Sequence, residues 1–412
     1  MPEFLSLVTP QEALDTLFRQ LEVSRDLEIV LTLEALGKIT SVDILSPQDL
    51  PEFKRSTVDG YAVLAKDTHG ASEGLPAYLQ QVGEILMGQK PVFSISSSQC
   101  GLIHTGGMLP EGATAVVMLE DTQPLNTGEI EIYKPVAPGE NIIEVGEDIQ
   151  KGDVVIPQGT RLRPAEIGGL MAVGITEVEV IKPPLMGVIS SGDEVIPPDR
   201  KPEIGQVRDI NSFTLGALLQ VLGVQAHHYG IIPDNRGALR DVMVRALEEC
   251  DHLIVTAGSS ASARDLTAEI MNELGDPGVV VHGLQIKPGK PTILALAGKK
   301  LMIGLPGNPV SALVITQVMI KPILDYLMGL DTNRPQPIIE AELTVNIASQ
   351  AGREDWIPVR LATGSSGTWQ AEPVFGRSNL IFVLARADGL IRIPPAVTGL
   401  ESGAIVPVHL MG

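Results

Sequence analysis

The feature that most constrains this chain is the regular alternation of strand-like and helix-like segments between Pro184 and about Asp331. Leu185 to Ser190 reads as a strand. Leu215, Leu218, Leu219 and Leu222 then recur at helical spacing and stop at Gly223. Val224 to Tyr229 reads as a strand again, and Leu239, Val242, Met243, Ala246, Leu247 and Cys250 mark a second amphipathic helix. Leu253-Ile254-Val255-Thr256 is a third, continuous apolar strand, followed by a small-residue loop and a helix from about Asp265. Alternation at this spacing predicts a doubly wound parallel sheet with helices on both faces.

That α/β unit occupies residues 183–331 of a 412-residue chain, so at roughly 100–200 residues per domain other domains must flank it. Thr9-Pro10-Gln11-Glu12 is a capping box with proline at the first helical position, and Ala13, Leu14, Leu17, Phe18 and Leu21 line one face of the helix behind it. A second helical stretch is expected before residue 43. Residues 43–145 are rich in Pro and Gly with short alternating runs such as Glu129-Ile130-Glu131-Ile132-Tyr133, which predicts a β-rich domain. Residues 146–182 carry a short helix near Pro164 to Val173 and the strand-like Val178-Glu179-Val180-Ile181, and are expected to rejoin residues 1–42 as a discontinuous helical domain. Beyond Pro335, strands at Ala341 to Ile347, Trp356 to Leu361, Leu380 to Leu384 and Ile405 to Leu410 predict a small β domain over 332–412. The fold class is α/β multidomain, the doubly wound sheet being joined by one discontinuous helical domain and two small β domains.

Charge excludes several functions. Lys and Arg total 30 against 50 Asp and Glu, a formal net charge of −20. Duplex DNA and anionic membranes both require basic surfaces, so neither is an expected partner. Aromatic residues are 3% of the chain, too few for a base-stacking platform. An acidic protein that binds an anionic small molecule must concentrate its lysines, arginines and backbone amides locally. Cys100 and Cys250 are the only cysteines and form no C-x-x-C, which leaves no disulfide framework or cysteine-rich zinc site; Cys250 is expected to be a buried core thiol. Met-Pro-Glu-Phe-Leu lacks the cationic start and apolar centre of a secretory signal. Leu301 to Ile320 is uncharged over 20 positions, but Pro306, Asn308 and Pro309 interrupt it, so it reads as a strand, a loop and a buried helix. A cytoplasmic protein is expected.

Ligands of an open parallel sheet bind outside the carboxyl ends of its strands. Five loops are expected on that edge: Ser191-Gly192-Asp193-Glu194; Asp234; Gly258-Ser259-Ser260-Ala261-Ser262 with Arg264-Asp265; Lys287-Pro288-Gly289-Lys290-Pro291; and Leu305-Pro306-Gly307-Asn308-Pro309. Taken singly, each is ordinary turn chemistry. Together they bring carboxylates and lysines to one place. The small-residue loop resembles a backbone-amide nest for phosphate, although no Gly-Lys-Ser/Thr follows as in a Walker loop. Asp193, Glu194, Asp234 and Asp265 could hold Mg²⁺, a hard cation satisfied by a few carboxylates, water and phosphate oxygens. Lys287 and Lys290 supply positive charge for an oxyanion. His227 and His228 are adjacent on a strand and point to opposite faces, and neither H-E-x-x-H nor G-x-S-x-G occurs.

Pro51-Glu52-Phe53-Lys54-Arg55-Ser56-Thr57-Val58-Asp59-Gly60-Tyr61-Ala62 resembles a signature of the molybdopterin molybdenumtransferases, the molybdenum insertases related to the E domain of gephyrin. The same family is matched by Thr105-Gly106-Gly107 through Val116-Val117-Met118, by Gly146-Glu147-Asp148-Ile149, by Ser191-Gly192-Asp193-Glu194 and by Gly205-Gln206-Val207-Arg208-Asp209-Ile210-Asn211-Ser212. Lys287-Pro288-Gly289-Lys290-Pro291 and Gly304-Leu305-Pro306-Gly307-Asn308-Pro309-Val310-Ser311 continue the series, in order, over nearly the whole chain. The resemblance implies four domains and a homodimer whose cleft takes residues from both subunits, with residues 1–42 and 146–182 serving dimerisation. It implies insertion of molybdate into adenylyl-molybdopterin, with Mg²⁺-dependent cleavage of the pyrophosphate and release of AMP and molybdenum cofactor. The molybdopterin adenylyltransferase of the earlier step is a candidate partner.

By motif match, molybdate falls to Lys287, Lys290, Ser311, Arg353 and Ser378. Ser259 and Ser260 would serve the substrate phosphates, and Glu194, Asp234 and Asp265 would handle metal and phosphate. Asp59, Thr105 and Asp148 would reach the cleft from the β domain and its neighbour. The catalytic set implied is Asp59, Asp148, Asp265, Lys287 and Lys290. Two departures stand out. The loop usually read as Ser-Gly-Gly-Val-Ser-Val-Gly is Thr256-Ala257-Gly258-Ser259-Ser260-Ala261-Ser262 here, and Ile142-Ile143-Glu144-Val145 stands where arginines are frequent. The alternatives are a non-catalytic scaffold relative and a molybdopterin adenylyltransferase.

Overall fold

The computed structural model describes residues 7–257, 261–330, 337–364 and 367–411, with 257 and 261–264 described by their backbone alone. At its centre lies a six-stranded sheet in the order Gln225–Ile232, Leu185–Ser191, His252–Ala257, Lys300–Pro306, Ile293–Ala297, Pro277–His282. The first four strands are mutually parallel. Ile293–Ala297 runs antiparallel to both its neighbours. The expected parallel sheet therefore contains one reversed strand, because only two residues, Gly298 and Lys299, separate the paired Ala297 and Lys300. A crossover to a parallel neighbour needs a dozen residues or more.

Helices cover both faces of this sheet. Asn211–Val221 and Pro309–Ile315 bury Leu215, Leu219, Val310 and Val314 against Met186, Val188, Ile254 and Ile303. Arg236–Glu249 and Ala261–Leu274 cover the other face, where Leu239, Met243, Ile270 and Met271 meet Ile189, Leu253, Val255 and Met302. The helix from Pro309 continues through a π-helical turn, Thr316–Ile320, into Lys321–Leu327. Pro322 lacks an amide hydrogen, and such a gap in the helical ladder is commonly absorbed by a wider turn. This 19-residue apolar stretch, long enough to cross a membrane, is 67% buried within the protein.

The Pro10–Gln20 helix carries the expected capping box, Thr9 accepting from the Glu12 amide. Its apolar face, Ala13, Leu14 and Leu17, packs onto the α/β core. The second helical stretch is absent: Leu27–Leu31 is a strand and Thr32–Ala35 a short 3-10 turn. The apolar periodicity of Leu27 to Leu36 did not reveal that Val30 would pair with Val178, some 150 residues away. Leu27–Leu31, Glu177–Ile181 and Ile39–Thr40 form a three-stranded sheet packed on the Pro164–Ala172 helix. Arg25 ties this region to the α/β unit by donating to the Leu327 and Tyr326 carbonyls at 2.9 Å, and Arg161 lies 3.7 Å from the buried Asp325.

Residues 60–132 contribute a separate six-stranded sheet around Tyr61, Val63, Leu79, Val117 and Ile130. At the C-terminus, Glu354–Thr363, Trp369–Pro373, Ile338–Leu343, Ile405–Leu410 and Gly389–Ile393 close into a barrel, since the first strand pairs with both the second and the last. The strand expected at Leu380 to Leu384 is instead a helical turn, Phe382–Ala385, which lies outside the closed barrel and inserts Val383 and Leu384 into the α/β core. Ile286–Lys287 leaves the α/β unit to pair with Glu354 and Asp355, so the two domains are joined by backbone hydrogen bonds.

Candidate active site

The reversed strand decides the geometry of the site. Because Ile293 pairs with Gly304, the start of Ile293–Ala297 lies at the same edge as the carboxyl ends of the parallel strands. The Lys287–Pro291 loop consequently shares that edge with the loops after Ser191, Ile232 and Pro306 and with the carboxyl end of His252–Ala257. Their order along it is a charge sequence. Asp234 follows the outermost strand, Asp193 and Glu194 the next, and Asp265 belongs to the helix after the third; Ser311 follows the fourth, and the lysines precede the fifth. At roughly 4.8 Å per strand, the lysine loop stands about 10 Å from the third strand and about 19 Å from the first.

At the cationic end a pocket of about 990 Å³ opens between the α/β unit and the barrel. Lys287, Lys290, Ser311, Arg353 and Ser378 all line it. The first three come from the α/β unit, and the other two from the barrel domain. The loop is held from behind: Leu284 N–H donates to the Lys290 carbonyl at 2.8 Å, and the buried Thr292 hydroxyl to the Gly289 carbonyl at 2.7 Å. Gly289 has φ +112°, and a Cβ there would stand 2.4 Å from Cδ1 and Cγ1 of Ile315. This position requires glycine for space and for conformation alike. Across the pocket Val310 N–H donates to the Ser378 carbonyl at 3.0 Å, linking the last helix to the Gly376-Arg377-Ser378 turn.

Three lining residues carry chemistry that sequence reasoning missed. Asp355, 2% exposed, grips Arg353 through contacts at 2.8 and 3.4 Å and fixes the plane of its guanidinium. The Arg353-x-Asp355 spacing at the entry to the Glu354–Thr363 strand was the available signal. Arg377 adds a further cation and Asn308 an amide. Lys287, Lys290 and Arg377 make no ion pair with the described residues, in contrast to Arg163, Arg236, Arg240 and Arg392 on other surfaces. Hydroxyl, ammonium and guanidinium donors around one pocket are the groups that replace the hydration of a tetrahedral oxyanion.

The acidic end is organised differently. Ser191 donates to Asp234 at 2.5 Å, and Asp234 N–H donates to Asp193 at 3.1 Å, joining the first two loops. Glu194 is half-buried and Asp265 exposed. Among the described residues no three His, Cys, Asp or Glu side chains converge as a ready-made metal cage; Glu194, Asp234 and Asp265 are spread along the edge. Mg²⁺ takes one or two carboxylates and completes its shell with water and phosphate oxygens, so it does not require such a cage. Ser259 and Ser260 lie outside the described residues. The thiol of Cys100 offers no rival nucleophile, since complete burial pushes it up to about 12.

Asp59, Thr105 and Asp148 do not line the pocket. Asp59 accepts from the Thr105 amide at 2.9 Å, and His104 stands between Asp59 (3.6 Å) and Glu84 (3.1 Å). Gly60 follows Asp59 because a Cβ would fall 1.9 Å from the Val117 carbonyl oxygen of the neighbouring strand. Asp148 is exposed, and its amide donates to the Leu50 carbonyl at 3.0 Å beside the cis Leu50–Pro51 bond. Asp59 and Thr105 thus form one cluster, with Asp148 in the adjoining loop.

Comparison with known proteins matches the chain in three consecutive pieces. Residues 8–174 fit the MoeA N-terminal region (domain I and II), 187–326 a probable molybdopterin binding domain, and 340–411 the MoeA C-terminal region (domain IV). The molybdopterin molybdenumtransferase of Haemophilus influenzae is 30% identical over 411 residues, covering 98% of this chain and 100% of that protein. Two solved structures of the molybdopterin biosynthesis protein MoeA from Pyrococcus horikoshii each cover 98% of this chain. One is 36% identical with a TM-score of 0.80 over 99% of its length, the other 30% identical with 0.86 over 100%.

Proposed function

Because the chain belongs to the MoeA family of molybdopterin molybdenumtransferases, transferases of molybdenum cofactor biosynthesis, we propose that it inserts molybdate into adenylyl-molybdopterin, releasing AMP and molybdenum cofactor. The observation that carries this reading is the junction pocket, where Lys287, Lys290, Ser311, Arg353 and Ser378 meet from two domains. In a chain of net charge −20, unpaired cations gathered in one concavity offset the long-range repulsion that a dianion would otherwise meet. Lys287 and Lys290 supply charge, the Arg353 fork supplies direction, and the two serine hydroxyls complete a donor shell.

The pyrophosphate of the second substrate extends along the sheet edge toward the carboxylates. Asp234, Glu194 and Asp265 would hold Mg²⁺ there, and the ion supplies neutralisation of the charge that develops on the cleaved phosphates. In the proposed reaction the two dithiolene sulfurs replace two molybdate oxygens, which take up protons and leave as water. One water attacks the pyrophosphate, so that a P–O bond forms as the bridging P–O bond breaks and AMP leaves with the electron pair. The reading includes a homodimer in which Asp59, Thr105 and Asp148 of one subunit face the pocket edge of the other. Its support is the edge strand Leu27–Leu31, where Leu27, Ile29 and Leu31 are 52, 70 and 51% exposed beside Leu33 and Leu36. An edge strand carrying such apolar exposure calls for a covering surface. The adenylyltransferase that makes the substrate is the proposed delivering partner.

The test incubates purified protein with adenylyl-molybdopterin, Mg²⁺ and molybdate, following AMP and cofactor. Both should appear in equal amounts, and Lys290→Ala should lower the rate without altering sedimentation. A protein that releases neither product is a scaffold; one that consumes ATP and free molybdopterin is an adenylyltransferase.

A further inference from the structure

The junction pocket continues beyond Pro358. Trp356 and Pro358 line it from the outward face of the Glu354–Thr363 strand, and Arg360 is the next residue on that face, roughly 7 Å further along. Arg360 lines a second cavity of about 550 Å³ with Glu372, Pro373, Val374, Phe375 and Arg386. Val374 and Phe375 line both cavities, so the two share a wall. Arg360 and Arg386 are exposed and have neither an ion pair nor a hydrogen bond among the described residues. Glu372 is the cross-strand neighbour of Arg360, yet it too makes no ion pair there. Two unneutralised guanidinium groups in one cleft are unusual in a chain with 50 acidic and 30 basic residues.

We infer that Arg360 and Arg386 form a second oxyanion site, an annex that takes a tetrahedral dianion next to the Lys287/Lys290 pocket. The identity of the dianion rests on the function proposed above, which makes molybdate its free source; the phosphate of the adenylate is the other source of the same chemistry. Two arginines against Glu372 leave the annex with one net positive charge. Lys287, Lys290 and Arg377 give the deeper pocket three, since Arg353 is already neutralised by Asp355. Potential therefore rises inward, and the annex binds the dianion more weakly than the pocket does. Capture at the rim followed by transfer inward is the behaviour such a gradient produces.

Equilibrium dialysis of the full chain against molybdate, with bound metal measured by mass spectrometry, tests this. Wild type should show two classes of site per chain. Arg360→Gln/Arg386→Gln should lose the weaker class and keep the tighter one, whereas Lys287→Ala/Lys290→Ala should lose the tighter. Glu372→Gln should tighten the weaker class by roughly threefold to fivefold, the weight of one partly screened charge. Retention of the weaker class when AMP is added supports free dianion as the occupant, and its selective displacement supports the adenylate phosphate. A single class that disappears with the lysines overturns the annex while leaving the pocket's proposed role intact. Two classes that both persist in the arginine variant overturn it as well. No bound molybdate in any form overturns the annex together with the function it rests on.

Discussion

Gly289→Ala is the substitution that most directly tests how the lysine loop is held. At φ +112° the backbone lies in a region that side-chain-bearing residues rarely enter, which costs on the order of 1–3 kcal/mol. The new Cβ would also stand 2.4 Å from two atoms of Ile315, a fully buried residue on the Pro309–Ile315 helix. Overpacking of this kind costs roughly 1–3 kcal/mol more. Together these reach about 2–6 kcal/mol, against a domain stability of about 5–15. The fold should survive, and the loop should relieve the strain by moving outward with Lys287 and Lys290. A displacement of about 1 Å in positioning groups can cost on the order of a hundredfold in rate. Urea unfolding and molybdate binding report the two consequences separately. Ile315→Ala removes both contacted atoms, so the double variant should be less destabilised than the sum of the singles by about 1–3 kcal/mol. An additive cycle, or a Gly289→Ala protein with wild-type stability and binding, would show that neither space nor backbone conformation shapes this loop.

His252 predicts a pH effect on stability. It is 8% exposed, burial lowers it to about 4, and its Nδ1 accepts from the Leu301 amide at 3.1 Å, which the charged ring could not do. Between pH 6.5 and 4 the unfolded chain binds this proton and the folded chain does not, so stability falls with pH across that window and levels off below it. The gap from 6.5 to about 4 corresponds to about 3 kcal/mol. Urea midpoints from pH 7 to 4 should slope less steeply in His252→Gln, and parallel profiles would contradict the assignment. Asp355→Asn should weaken molybdate binding by roughly tenfold, because the Arg353 fork loses a charge-assisted anchor. Unchanged affinity in calorimetry would mean that another contact orients Arg353.

The α/β unit was legible because its signals are local. Most of its strands are short apolar runs, most helices carry a 3.6-residue stripe, and apart from 192–210 and 283–292 the connections are two or three residues long. The motif residues Lys287, Lys290, Ser311, Arg353 and Ser378 could be named from the chain, although nothing in their spacing says that 353 and 378 lie opposite 287. That adjacency comes from Ile286–Lys287 pairing with Glu354–Asp355, a long-range contact with no sequence signature. The same limit explains Leu27–Leu31, whose strand state depends on a partner at 177–181. Phe382–Ala385 failed for another reason: Leu380-Ile381-Phe382-Val383-Leu384 is apolar throughout, and an unbroken run of five contains no period to separate helix from strand.

The reversed strand is what allows one edge to serve two kinds of group. Had Ile293–Ala297 run parallel to its neighbours, its leading loop would lie at the amino ends of the sheet, and Lys287 and Lys290 would face away from Asp193, Asp234 and Asp265. The hairpin at Gly298 and Lys299 prevents this by turning the strand back along Lys300–Pro306. Acidic groups then collect over the first three strands and cationic groups over the last two, separated by about 10 Å and not mixed. Separation matters because carboxylates and lysines in contact would neutralise one another as ordinary ion pairs, leaving neither free for metal or oxyanion. The reciprocal contacts Ser191–Asp234 and Asp234–Asp193 at one end, and the unpaired Lys287, Lys290 and Arg377 at the other, are the local signs of that division. The proposed two-substrate reaction between a dianion and a pyrophosphate needs both fields within reach of one cleft, and the sheet topology sets the spacing between them.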